Sequence, residues 1–148
     1  MTSNEGQTKL VIPALGCVYR CPGCFVNPFL RVVFAALVAP SGFAKLTDPD
    51  FAAQVHGLIG KLGFSSPDIW FYLIVLLETA GSISLAFGFL TRLVAGIFVI
   101  EMLVIAIGVH LPTGHGYQYP FLLAAVALTL TLRGGGRWSI DRLIGREL

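Results

Sequence analysis

The sequence has few charged residues. Only 12% of its 148 residues are Asp, Glu, Lys or Arg, whereas a water-soluble domain carries about 25%. Hydrophobic residues make up 55% of the chain, and a chain of this length cannot bury so many apolar side chains inside a water-facing globule. The scarcity of charge therefore excludes an ordinary soluble domain, and it predicts a single domain whose surface faces lipid.

Other absences narrow the possible functions. The formal net charge of +2 is too small to predict nucleic-acid binding. Residues 1–16 lack the apolar stretch of about 7–15 residues that a cleaved signal peptide requires. The sequence also contains no phosphate-binding glycine motif, no nucleophile elbow and no catalytic triad. The absence of these motifs leaves open whether the protein is an enzyme.

Four apolar stretches predict an all-α integral membrane four-helix bundle. They run from about Pro28 to Leu46, Ile69 to Leu90, Leu93 to Leu111 and Tyr117 to Leu132, the last being the shortest. Crossing the hydrocarbon takes roughly 20 apolar residues in a helix. Because lipid offers no hydrogen bonds to the backbone, each stretch must satisfy its own N–H and C=O groups, which favours helix.

Two shorter amphipathic helices are predicted at the membrane interface. Asp48 followed by Pro49 is typical of a helix start, and the helix after it would lie on the membrane between the first two spans. In the tail, the apolar residues Trp138, Ile140, Leu143 and Ile144 share one face. The chain thus divides into a cytoplasmic cysteine-containing segment (1–27), the four spans (28–133) and an amphipathic tail (134–148).

The distribution of Lys and Arg predicts the orientation. One side of the predicted bundle holds Lys9, Arg20, Arg31, Arg92, Arg133, Arg137, Arg142 and Arg146, and the other holds only Lys45 and Lys61. Because cytoplasmic loops carry the excess of positive charge, both termini are expected in the cytoplasm. The predicted location is the plasma membrane, the inner membrane of a bacterium, with several crossings.

Two sequence stretches resemble the DoxX family of small four-helix bacterial membrane proteins. They are SGFAKLTDPDFAA (Ser41–Ala53) and LLETAGSISLAFGFLTRL (Leu76–Leu93). The matching residues are Ser41, Gly42, Lys45, Glu78, Gly81, Thr91 and Arg92. The resemblance extends from about residue 28 to the C-terminus and implies an association with quinone-linked sulfur oxidation or membrane redox homeostasis. It supplies no agreed catalytic residues, and the cysteine-bearing segment lies outside it.

Glu78 and Glu101 are the strongest candidates for chemistry. An ionisable group within a membrane helix is costly and by default faces the bundle interior. Both glutamates lie near the predicted midplane of adjacent spans that form a hairpin, so they are expected to face each other, with Arg31 as the available cation. Two such carboxylates cannot both ionise cheaply. One interpretation is a proton-handling pair beside a quinone, and the other is a buried contact that fixes helix packing.

The histidines form a candidate metal site. His110 and His115 lie five residues apart around a Pro-Gly turn, and His56 is predicted on the same outer face. Imidazoles in this pattern bind copper, zinc or haem iron. The alternative interpretation is that they are ordinary residues of the membrane boundary, where aromatic and polar side chains collect.

Cys17, Cys21 and Cys24 form the pattern Cys-x-x-x-Cys-x-x-Cys. Three thiolates leave a zinc or iron–sulfur site one ligand short unless a partner supplies the fourth. Cys21 and Cys24 alone fit a dithiol redox pair, although the thioredoxin-like pattern around them is absent. Unligated, reduced thiols are the third interpretation.

Three functions remain on the sequence. The first is a redox-associated membrane subunit that exchanges electrons or protons with quinone beside a protein partner. The second is a non-catalytic subunit that anchors or assembles a larger membrane complex. The third is a small transporter for a metal or a lipophilic solute. The expected partners are membrane lipid and either other proteins or further copies of the chain, and nucleic acid is not expected.

Overall fold

A computed structural model describes residues 22–114, 116–136 and 138–144. Within these residues the chain forms six helices and no strand. The helices are α1 (Pro22–Thr47), α2 (Pro49–Lys61), α3 (Pro67–Phe87), α4 (Thr91–Thr113), α5 (Gln118–Arg133) and α6 (Ile140–Ile144). The prediction of an all-α membrane protein is confirmed, and the helix ends lie within a few residues of the predicted spans, except that α1 starts earlier.

Three helices are long and apolar enough to cross a membrane. They are α1 from Phe25 onward, α3 and α4. Helix α5 has 16 residues, which corresponds to about 24 Å at about 1.5 Å per residue, less than the roughly 30 Å of the hydrocarbon. The crossing by α5 and the orientation of the termini therefore stay predictions.

The four long helices share one core. Phe34, Leu85, Phe98 and Leu130 come from α1, α3, α4 and α5 in turn, and each is at most 1% exposed. The rings of Phe34 and Phe98 meet edge to face with their centroids 5.0 Å apart. Helix α1 packs mainly against α3, and α4 packs mainly against α5. The hairpin partners α3 and α4 touch each other far less than either of these pairs.

Helix α2 begins as its sequence predicts. The Asp48 carboxylate accepts hydrogen bonds from the backbone N–H groups of Asp50 and Phe51, at 3.0 and 3.2 Å. These bonds satisfy donors that the first turn of a helix otherwise leaves unpaired. The apolar face of α2 buries Ile59 against Phe71 and Val75 of α3.

The C-terminal segment (residues 134–136 and 138–144) folds back over one end of the bundle. The Asn27 side chain on α1 donates to the Gly134 carbonyl at 2.8 Å. Asp141 accepts from the backbone N–H groups of Leu90 and Thr91, at 2.6 and 2.9 Å. Leu90 has a positive φ of 51°, so this carboxylate stabilises a strained turn.

These contacts change the expected role of the tail. The sequence predicts a helix lying in the membrane plane, but α6 has only five residues. Ser139 and Asp141 are buried against the bundle, while Trp138 is exposed. The apolar periodicity identified a helix correctly, but it missed the polar contacts that hold the segment to the α3–α4 turn.

Gly42 brings α1 and α3 into close contact, and a side chain there should be costly. A Cβ at Gly42 would lie 2.8 Å from Thr79 Cγ2 and 2.9 Å from Glu78 Cβ. We expect Gly42→Ala to lower the free energy of unfolding by about 1–3 kcal/mol, because overpacking outweighs the gain in helix propensity. Thermal unfolding in detergent measures this.

Gly57→Ala in α2 is the matched control, since a Cβ there meets nothing within 4 Å. It should be neutral or stabilise by up to about 1 kcal/mol. Equal melting temperatures for the Gly42 and Gly57 variants would contradict the close approach of α1 and α3.

Candidate ligand-binding site

A cavity of about 920 Å³ lies between α2, α3 and α4 and reaches the end of α1. Most of its lining is aliphatic or aromatic. Its polar lining residues are Ser41, Lys45, Trp70, Glu78, Ser84, Glu101 and His110. A cavity of this size with a few converging polar groups has the properties of a small-molecule site.

Lys45 and Glu78 form a buried ion pair on the cavity wall. Their side chains are only 6% and 3% exposed. The Lys45 ammonium also donates to the Ser41 hydroxyl one turn earlier in α1, at 2.9 Å. The Phe51 ring lies 5.7 Å from the ammonium. The charge of Glu78 is thus compensated within the bundle, as a buried charge requires.

Both glutamate-bearing helices contain a π-helical segment. In α3 it is Leu77–Gly81, which includes Glu78, and in α4 it is Ile105–His110, which follows Glu101 by one turn. The Thr79 hydroxyl donates to the Val75 carbonyl at 2.6 Å, so the side chain competes for a carbonyl of the regular ladder. Such segments are rare and frequently occur at functional sites.

Glu101 lies in the middle of α4 and lines the same cavity. Both of its carboxyl oxygens are buried, and neither has a hydrogen-bond partner within the part of the chain that the structure describes. Glu78 and Lys45 are both within electrostatic range of it. The structure therefore brings the two predicted glutamates to one cavity but gives them different surroundings. Glu78 is paired, whereas Glu101 lines the cavity and its covered carboxyl oxygens have no hydrogen-bond partner in the described part of the chain.

Arg31 does not take the place that the sequence suggests. It is 1% exposed, and it donates to the Trp138 carbonyl of the C-terminal segment. The charged group that interacts electrostatically with Arg31 is Asp141. Among the described residues, Arg31 forms no ion pair with either glutamate. Arg31 lies in the part of α1 that is near the docked C-terminal segment. Lys45, near the opposite end of α1, is the cation that reaches Glu78.

The candidate metal ligands are only partly described. The imidazole of His56 stacks on Phe71, with ring centroids 4.1 Å apart, and its Nδ1 lies 3.5 Å from the Asp68 carboxylate. His110 lines the cavity, and His115 lies outside the described residues. Within the described residues, no three His, Cys, Asp or Glu side chains are grouped to hold a metal ion. The histidine metal site stays a prediction.

The cysteine motif also stays a prediction. Cys17 and Cys21 lie outside the described residues. Cys24 belongs to the first turn of α1, and its side chain is likewise outside the description. The dithiol, ligand and unligated interpretations therefore stand as the sequence left them.

Comparison with known proteins identifies the family. The DoxX sequence profile matches residues 27–111, more than half of the chain. The chain belongs to the DoxX family. It is also 29% identical over 122 residues to the inner membrane protein YqjF of Escherichia coli (strain K12), covering 79% of this chain and 90% of that protein. No solved structure shows a significant match.

The DoxX match contains every polar residue of the cavity wall and ends before α5. The contribution of Lys45 to the site was missed in the sequence, where it counted as one of two lysines on the outer side. A signal was present, because Ser41, Lys45 and Glu78 all belong to the matching DoxX residues. A family-matching lysine one turn from a family-matching serine points to an interior pair.

Proposed function

We propose that this DoxX protein is a quinone-linked redox component of the bacterial inner membrane, and that Glu101 handles the proton of the bound quinone. The observation that carries the proposal is Glu101, which lines a mostly apolar cavity and whose two enclosed carboxyl oxygens have no hydrogen-bond partner among the described residues. The association of the DoxX family with quinone-linked chemistry supports it, as does the inner-membrane location of the Escherichia coli relative.

The donor groups and the walls of the cavity fit a quinone headgroup. A quinone presents a flat apolar ring and carbonyl oxygens that accept hydrogen bonds. The Glu101 carboxyl in its protonated form donates one such bond. Apolar side chains of α2, α3 and α4 supply surfaces for the ring and exclude water. A bound quinone takes up two electrons and two protons on reduction, so Glu101 passes on one proton, is reprotonated from the aqueous membrane surface, and then passes on the second.

The polar residues on the cavity wall have different roles in this proposal. Glu78 stays paired with Lys45, so this pair supplies a fixed, compensated dipole beside the ring. Glu101, with no such partner in the described residues, holds and releases the proton. His110 also lines the cavity, near the end of α4. The electrons come from a redox protein that docks on the membrane component.

Charge distribution supports the orientation with both termini in the cytoplasm. Arg92, Arg133 and Arg142 are exposed at the end of the bundle that the C-terminal segment covers. Positive residues concentrate on the cytoplasmic side of membrane proteins. In this orientation α2 and the cavity lie toward the opposite membrane surface.

Substitution of Glu101 tests the proposal. We expect Glu101→Leu to weaken quinone binding by about 10- to 100-fold, because a buried hydrogen bond to the ligand is lost. Glu101→Gln keeps a donor and should bind within about threefold of the original protein. Binding is measured in lipid nanodiscs by quenching of Trp70 fluorescence, in a Trp138→Phe background that leaves a single tryptophan.

Infrared difference spectra give a second readout of the same variants. Quinone binding should shift a carboxyl C=O band in the original protein, and both Glu101 variants should lack that band. If the folded protein binds no quinone, the redox proposal is wrong and the anchoring function becomes the better account. Equal affinities for the Leu and Gln variants would remove Glu101 from the site.

A further inference from the structure

The cavity wall continues onto the outer surface of the bundle between α3 and α4. Leu73 and Leu76 on α3 and Ile97 and Ile100 on α4 all line the cavity. The same four side chains are 44–65% exposed. A residue that both lines a cavity and reaches the surface marks the rim of an opening. Since α3 and α4 are candidate membrane spans, this rim faces the hydrocarbon of the bilayer.

The packing of the helices explains why the opening lies there. Helix α3 is held by α1, and α4 is held by α5, whereas α3 and α4 make few contacts with each other. The end of the cavity away from their connecting turn is covered by α2 and the residues after it. Leu62 packs closely against Gly108 of α4, because a Cβ added at Gly108 would lie only 2.7 Å from Leu62 Cδ2. The cavity is therefore closed by α2 at one end and open at its side.

From this geometry we infer that the ligand is an amphiphile with a long hydrocarbon tail, which enters sideways from the bilayer between α3 and α4. This inference rests on the proposed function for the identity of the head, a quinone ring placed at Glu101. The tail lies in the cleft along Leu76 and Ile100 and leaves the protein into lipid. A water-soluble quinone without a tail is a poorer physiological ligand, because the end that faces the membrane surface is covered.

Narrowing the opening should discriminate between ligands by their tails. The double substitution Leu76→Phe and Ile100→Phe adds bulk at the rim and leaves the polar wall unchanged. We expect the affinity for a quinone with a long isoprenoid tail to fall by about tenfold or more, as in overpacked apolar sites. A quinone with the same ring and one isoprene unit fits wholly inside and should lose no more than about threefold. The readout is Trp70 quenching in nanodiscs.

Leu128→Phe is the matched control, because Leu128 is exposed on α5 and does not line the cavity. It should leave both affinities unchanged. A second measurement needs no variant: a long-tailed quinone with a photoreactive diazirine on its tail is irradiated in the original protein. Mass spectrometry should find the cross-links on α3 and α4 near the rim.

The outcomes separate this inference from the proposed function. If the original protein binds neither quinone, the proposed function fails. If it binds both, and the rim variant leaves long-tail affinity unchanged or lowers both affinities equally, sideways entry is overturned while quinone binding stands. Cross-links spread evenly over the lipid-facing surfaces of α1 and α5 would also overturn it.

Discussion

Replacement of Lys45 by methionine should destabilise the protein by about 3–5 kcal/mol, because it leaves the Glu78 carboxylate buried without its cation. Both side chains are almost fully enclosed, so water cannot compensate the unpaired buried charge. Methionine keeps the length and the apolar stem of lysine, and the loss therefore reports on charge pairing more than on packing. Thermal unfolding in detergent and the yield of folded protein both measure the effect.

A double replacement provides the decisive comparison. Lys45→Met combined with Glu78→Met removes both charges, and the stability should return to within about 1 kcal/mol of the original, since an apolar pair of similar volume often equals a buried ion pair. Lys61→Met is the control for loss of a lysine, because Lys61 is exposed at the end of α2, and it should change stability by less than about 0.5 kcal/mol. A single Lys45 variant as stable as the original would show that the pair does not form.

Replacement of Asp141 by alanine should lower the free energy of unfolding by about 2–3 kcal/mol. The carboxylate accepts from the N–H groups of Leu90 and Thr91 and from the Thr91 hydroxyl, the last at 3.0 Å. Hydrogen bonds to a charged group are among the stronger ones, and their loss leaves buried donors unsatisfied. The start of α4 would also lose a negative charge that its dipole favours.

Limited proteolysis adds a local measurement to this prediction. In the Asp141→Ala variant the C-terminal segment should be cut at lower protease concentrations than in the original protein, before the long helices are cut. Asp141→Asn keeps one acceptor oxygen without the charge and should fall between the two. Unchanged protection of the segment in the alanine variant would mean that Arg31 and Asn27 hold it alone.

The long helices and the cap of α2 could be predicted because they depend on neighbours in sequence. Hydropathy alone predicts the spans. Asp48 followed by Pro49 predicts the start of α2, because the Asp48 side chain can accept hydrogen bonds from N–H groups of the first turn. That Glu78 and Glu101 line one cavity could also be expected from local information, since a short turn joins their helices; that they face each other stays a prediction. Counting residues along each helix also predicts that the two glutamates lie at a similar depth in the membrane.

Lys45, Arg31 and Asp141 could not be placed in the same way. Each is bound to a residue at least 33 positions away in sequence, with the carbonyl that Arg31 contacts 107 positions distant. A lysine near the end of a span is as compatible with reaching outward to the interface as with turning inward. The choice between these depends on which helix packs alongside, and only the assembled bundle supplies that information. The π-helical segments are equally invisible to a period of 3.6 residues.

The carboxylate that fixes the turn between α3 and α4 is made by the ribosome about fifty residues after that turn. Synthesis proceeds from the N-terminus, so α3 and α4 enter the membrane while the turn still lacks its acceptor. The cleft between these helices is consequently at its least constrained during biogenesis and becomes fixed only when the last helix docks. Chains released before Asp141 would have all the candidate membrane spans and every polar residue of the cavity, yet would lack the contact that sets the angle between its two walls.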